Sequence, residues 1–147
     1  MEWLILAAAL GIGALLAGQV GVNASLGKHL GQPVLAALAS FSIGTLALFI
    51  YTLVLRLPWP APSSVTGFPW WVWLGGLMGA VYVTASVILA PRLGVAVFTA
   101  LVVAGQLVAA LVMDHYGWLG MEVLPVTPGR LVGALLLAAG VVLMKVY

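Results

Sequence analysis

Apolar residues fill this chain in long blocks, not at the spacing of an amphipathic helix. Five blocks, over about 3–26, 34–55, 70–90, 95–113 and 128–146, are broken only by glycine and by single hydroxyl or amide residues along most of their length. Each is closed by charge or proline: Glu2 and Lys28 flank the first, Pro33 and Arg56 the second, Pro91-Arg92 ends the third, Asp114-His115 the fourth, and Arg130 and Lys145 sit near the ends of the fifth. At about 1.5 Å of rise per residue, roughly 20 residues cross about 30 Å of hydrocarbon. The pattern therefore predicts an all-α integral membrane protein with five transmembrane helices. Pro91-Arg92-Leu93-Gly94 joins a breaker, a charge and a glycine, which keeps the third and fourth helices apart. The first block reads as a span and not as a cleaved leader, because Glu2 replaces a basic cluster and the apolar run is too long. The connections over 57–69 and 116–127 are too short for an extramembrane domain, so residues 1–147 are expected to form one transmembrane domain.

Composition strengthens this picture. Of 147 residues 65% are hydrophobic and 5% charged, against about 25% charged in a soluble domain. So little charge cannot cover a water-facing surface, which excludes a soluble enzyme and a nucleic-acid binder. The chain has no cysteine, hence no disulfide, thiolate metal site or cysteine nucleophile. No phosphate loop, metal cluster, nucleophile–base pair or haem-type histidine pair is present, so neither an enzyme nor a cofactor or metal is expected. Asn23-Ala24-Ser25 matches a glycosylation sequon by chance.

Charge placement bears on topology. With five spans the termini face opposite sides. The N-terminal side carries Arg56 and Arg130, and the other carries Lys28, Arg92 and Lys145. Two against three is almost no bias for the rule that sets orientation from short loops. All six tryptophans (Trp3, Trp59, Trp70, Trp71, Trp73 and Trp118) fall on the N-terminal side, where indoles suit the headgroup layer. Such a chain can insert both ways, and two opposed copies would make an antiparallel homodimer with an inverted repeat. A shift of 63 residues also lays Gly13 on Gly76, Ala17 on Ala80 and Val20 on Val83, a weak helical-hairpin repeat that chance could produce in so uniform a composition. Rows of small residues (Ala36-Ser40-Gly44, Gly75-Gly79 and Gly129-Gly133) mark faces where helices can approach closely, within the chain or across subunits.

Polar residues inside the spans carry the functional signal, because an unpaired amide in an apolar setting costs roughly 2–7 kcal/mol. Gln106 lies mid-way along the fourth span and shares a face with Thr99 and Asp114. Gln19 and Asn23 share a face of the first span, and Tyr82 and Ser86 a face of the third. Gln19, Asn23, Tyr82, Ser86 and Gln106 are the candidate substrate-binding residues. Ser40, Ser42, Thr45 and Thr84 read as structural hydroxyls bonded back to their own helix. Asp114 and His115 read as a solvated helix end, with proton coupling as the alternative role.

Several of these residues carry a resemblance. GQVGVNASLGKHLGQPVLAALASFSIGTLAL over 18–48, together with residues 91–120 and 128–144, resembles the YdcZ-like family of the drug/metabolite transporter superfamily. Its more specific parts are Gln19 with Asn23, Pro33, Gly105-Gln106-Leu107, and Asp114 followed by Tyr116-Gly117. The resemblance implies a multi-pass exporter of the bacterial plasma (inner) membrane, similar to half of ten-helix transporters whose two five-helix halves are inverted with substrate between them. The small multidrug-resistance branch of that superfamily uses a mid-membrane glutamate on its first helix. Here Gln19 is the polar residue, and that span has no internal acid.

The expected function is export of a small neutral or zwitterionic organic solute by alternating access between two protomers. The expected partners are the lipid bilayer, a second copy and the solute. A dual-topology ion channel is the rival; it should show a polar or aromatic ring along a continuous pore face, whereas these polar residues cluster. A non-transporting accessory subunit is the third reading.

Overall fold

Hydrocarbon offers no water to backbone N–H and C=O groups, so a spanning segment must satisfy them within itself. The computed structural model describes residues 2–147, and every block read as a span is helical. Helices α1 (Glu2–Leu30) and α2 (Pro33–Val54) are followed by the single turn α3 (Pro62–Val65). A 3-10 turn at Trp70–Trp73 leads into α4 (Leu74–Leu93); then come α5 (Val95–Tyr116), a second 3-10 turn at Trp118–Gly120, and α6 (Pro128–Val146). Among the described residues five segments are long and apolar enough to cross a membrane: Glu2–Leu30, Pro33–Val54, Trp70–Leu93, Val95–Tyr116 and Pro128–Val146.

Three helices outrun their expected ends. α1 continues to Leu30, with Lys28 and His29 in the last turn near its free carbonyls, and the His29 ring Nδ1–H donates to the Ser25 carbonyl at 2.9 Å. Gly31, at φ +68°, then turns the chain into Pro33, the first residue of α2. α4 runs through Pro91 to Leu93 instead of stopping at Ala90. In the last turn Pro91 forfeits little more than its own N–H bond, and the break falls at Gly94, whose φ of +84° few other residues adopt. α5 extends to Tyr116 and ends where Gly117 takes the left-handed conformation and its N–H bonds to the Met113 carbonyl.

The chain forms two compact units, Met1–Arg92 and Leu93–Tyr147. In the first, Val20, Asn23, Ala24 and Gly27 of α1, Ala36 and Ala37 of α2, and Val83, Ser86, Val87 and Ala90 of α4 are buried. On α1 and α4 these positions repeat every three or four residues, which makes one stripe per helix. The core occupies the end of the helices near the α1–α2 turn, whereas residues 2–16 of α1 are exposed. Gly27 allows that convergence: a Cβ there would overlap Val87 Cγ1 and lie 3.8 Å from the Ala36 Cβ. In the second unit α5 packs against α6. The Thr127 hydroxyl caps α6 by accepting the Arg130 N–H at 3.4 Å, with Pro128 at the first helical position.

The small-residue rows divide. Ala36 is in the core, while Ser40 and Gly44 leave it to line a cavity. Gly79 meets Phe41, but a Cβ on Gly75, Gly129 or Gly133 would meet nothing within 4 Å among the described residues of its own unit.

Gly27→Ala tests the convergence. Overpacking costs typically 1–3 kcal/mol, against about 0.5–1 kcal/mol gained by replacing a mid-helix glycine. We expect a lower thermal midpoint by circular dichroism in detergent, with Val87→Ala in the same chain recovering most of the loss.

Candidate functional site

Just beyond the core, toward the N-terminal end of α1, the helices of the first unit separate around a cavity of about 360 Å³. α1 contributes Leu16 and Gln19, α2 contributes Ser40, Phe41, Gly44, Thr45 and Leu48, and α4 contributes Gly79, Tyr82 and Val83. Its position follows from helical register. Gln19 is one turn before the buried Asn23, Tyr82 one turn before the buried Ser86, and Ser40 one turn after the buried Ala36. Each helix thus passes from close packing to the cavity wall within a single turn.

That transition divides the sequence-derived site. Gln19 and Tyr82 come together on the cavity. Asn23, 3% exposed, and Ser86, 1% exposed, lie in the core. Ser86 Oγ donates to the Val83 carbonyl of its own helix at 2.7 Å, a bond that satisfies the hydroxyl without a neighbour. Gln106 belongs to the second unit and is exposed on α5. Thr99, also on α5, keeps its Oγ1 buried with no hydrogen-bond partner among the described residues.

Two further polar residues on the cavity, Ser40 and Thr45, are ones that the sequence assigns to structural hydroxyls. For Ser40 the signal is the Ala36-Ser40-Gly44 row, which marks one face of α2 but not where along that face a neighbouring helix departs; Thr45 follows directly after that row.

No charged side chain lines the cavity among the described residues. One carboxamide and three hydroxyls can each donate and accept hydrogen bonds, set among leucine, valine and phenylalanine surface. This lining can bind hydrogen-bonding groups without a countercharge. A bare cation would lack the carboxylate it needs. Among the described residues no group of three histidine, cysteine or acidic side chains could hold a metal ion.

Asp114 and His115 serve a separate structure at the end of α5. Arg130 Nη1 donates to the Asp114 carboxylate at 3.3 Å and to the Leu124 carbonyl at 3.2 Å. The Leu124 N–H donates to the Asp114 carbonyl at 2.8 Å, and the Val126 N–H donates to His115 Nδ1 at 3.2 Å. Together these bonds hold the 121–127 segment against α5. His115 also meets Tyr116 edge-on, and Tyr116 stacks on Trp118.

The Asp114–Arg130 pair is more than a third exposed on each side, so the ion pair itself contributes at most about 1 kcal/mol. We expect Asp114→Asn, which can still accept from Arg130, to change stability by less than about 1 kcal/mol. Arg130→Met also removes the bond to Leu124 and should speed hydrogen exchange across 121–127, measured by mass spectrometry.

Residues 4–143 match the family model described as "Putative inner membrane exporter, YdcZ". No curated protein and no solved structure matches the chain.

Proposed function

The chain belongs to the YdcZ family of inner-membrane exporters, and from that membership we propose that it moves a small neutral or zwitterionic organic solute by alternating access between two antiparallel protomers. The uncharged, hydrogen-bonding cavity of the first unit carries this reading. At about 360 Å³ it stands near the lower end of the roughly 300–1,000 Å³ typical of ligand pockets, which suits a small solute. Gln19 and Tyr82 would hold the solute, with Ser40 and Thr45 completing the polar wall. Asn23 and Ser86 support that wall from the core.

Three observations favour the second copy. Gln106 is exposed midway along an apolar helix, where an unpaired amide is costly and a partner surface or solute would satisfy it. Gly129 and Gly133 offer close approach that nothing in their own unit uses. The near balance of two against three basic residues permits both insertions. Opposed copies would supply the inverted halves between which a midplane site can alternate.

The direct test is a screen of neutral and zwitterionic solutes against purified protein in liposomes. Once a transported solute is found, Gln19→Leu should reduce transport about tenfold, the effect of losing one hydrogen bond of ~1–1.5 kcal/mol. Gln106→Leu should leave the protein at least as stable in detergent while abolishing transport. Retained transport in either variant removes that residue from the path.

Orientation is tested separately. Adding two lysines within the 58–67 loop makes the N-terminal side the richer and should send it to the cytoplasm. Arg56→Gln with a lysine inserted beside Gln32 should do the reverse and leave the Asp114–Arg130 pair intact. Reporter fusions at the C-terminus should read both compartments for the unmodified chain and one for each biased variant. Each variant alone should be inactive, and the two expressed together should recover transport. A single orientation for the unmodified chain would overturn the antiparallel dimer.

A further inference from the structure

The cavity has one wall that is not built by close packing. Phe41 projects from α2, 38% exposed, and its ring reaches α4 only where residue 79 has no side chain. A Cβ on Gly79 would lie 3.0 Å from Phe41 Cζ and 3.6 Å from Cε1. That is too close for an ordinary contact, and the atoms at fault are the far end of a side chain that can swing away. Along α2 a second space of about 520 Å³ lies against Leu38, Ser42, Leu46 and Phe49. Phe41 and Thr45 line both spaces. Thr45 is small, so the phenylalanine ring is the bulk that stands between them.

We propose that Phe41, seated on Gly79, sets the size of molecule the cavity admits and restricts it to compact, uncharged compounds bearing hydroxyl or amide groups. This rests on the reading of the cavity as the solute site and narrows it. A zwitterion would bring two charges to a lining that holds none, whereas a hydroxyl or amide finds partners in Gln19, Ser40, Thr45 and Tyr82. With the ring in place Phe41 bounds the cavity on that side; with the ring removed or displaced, the cavity would open onto the groove along α2 and admit a bulkier molecule. Phe41→Ala deletes the wall. Gly79→Ala pushes the same ring aside from the opposite helix. Because both act through one ring, their effects should not add.

The chain has no cysteine, so Gln19→Cys introduces a single thiol into the cavity and Ser42→Cys a single thiol on the groove side of α2. Each full-length protein, in lipid vesicles, is treated with N-ethylmaleimide or with the larger N-(1-pyrenyl)maleimide, both uncharged, and modification is followed by mass spectrometry. The rate ratio of small to large reagent at position 42 is the reference. At position 19 the ratio should exceed that reference by about tenfold or more. Adding Phe41→Ala or Gly79→Ala should bring it to within about twofold of the reference, and both together should do no more. Where Phe41→Ala does not fold, Gly79→Ala decides. The proposal fails if the large reagent reaches position 19 as readily with Phe41 in place, if neither substitution changes the ratio, or if position 19 reacts with neither reagent. Labelling does not depend on transport, so absent transport by the unmodified chain, with the expected labelling of the cysteine variants, would refute the export reading alone.

Discussion

Hydrocarbon leaves every buried hydrogen-bonding group to be satisfied by the protein itself, and this structure is organised by that demand. Helices meet it for the backbone. Among side chains inside the spans, Ser86 and Thr52 turn back to carbonyls of their own helices at 2.7 Å each. Charged groups stand at or near span ends, and Asp114 there has Arg130 as a counterion. Gln19, Ser40, Thr45 and Tyr82 are gathered on a shared cavity instead.

The cavity is a consequence of uneven packing. Gly27, Ala36 and Val87 draw α1, α2 and α4 together near the α1–α2 turn, where small side chains let the helices approach closely. Beyond Val20 and Val83 the next inward positions are Gln19, Leu16, Tyr82 and Gly79, and these line the cavity. Close contact at one end and separation beyond it give a rigid support and an open polar wall on the same three helices. A site built this way is held on helices and not on loops, so its geometry inherits their stiffness.

The number, type and approximate extent of the spans are legible in the sequence because an apolar block of membrane length has almost no place outside a bilayer. The helix ends are less so. Pro91 has the look of a stop, but a proline in the last turn costs little, and the stop is Gly94. The candidate site is half legible for a related reason. A spacing of four places Gln19 with Asn23, and Tyr82 with Ser86, on one face. It fixes the direction in which a residue points but not what stands opposite it. One turn separates wall from core on both helices, so the first member of each pair lines the cavity and the second is buried. Ser40 and Thr45 depart from expectation in the opposite sense: a face suited to close packing is equally a face able to border a space.

The scarcity of charge links the cavity to the proposed assembly. Lys and Arg together number five and Asp and Glu three, and those few charges lie at or near span ends. The spans therefore carry no acid between their ends against which a cation could be held, which turns the cavity toward uncharged hydrogen-bonding groups. The same few bases leave the orientation rule with a difference of one positive charge between the sides, too little to favour one insertion strongly. A chain with a fixed orientation would carry more basic residues at one membrane face. A chain that held a carboxylate at mid-depth would bear an insertion cost of about 2.5–3.5 kcal/mol. The proposed neutral recognition and the proposed dual insertion thus rest on one scarcity, and a second, inverted copy is how such a chain would gain the symmetry that the proposed alternating access requires.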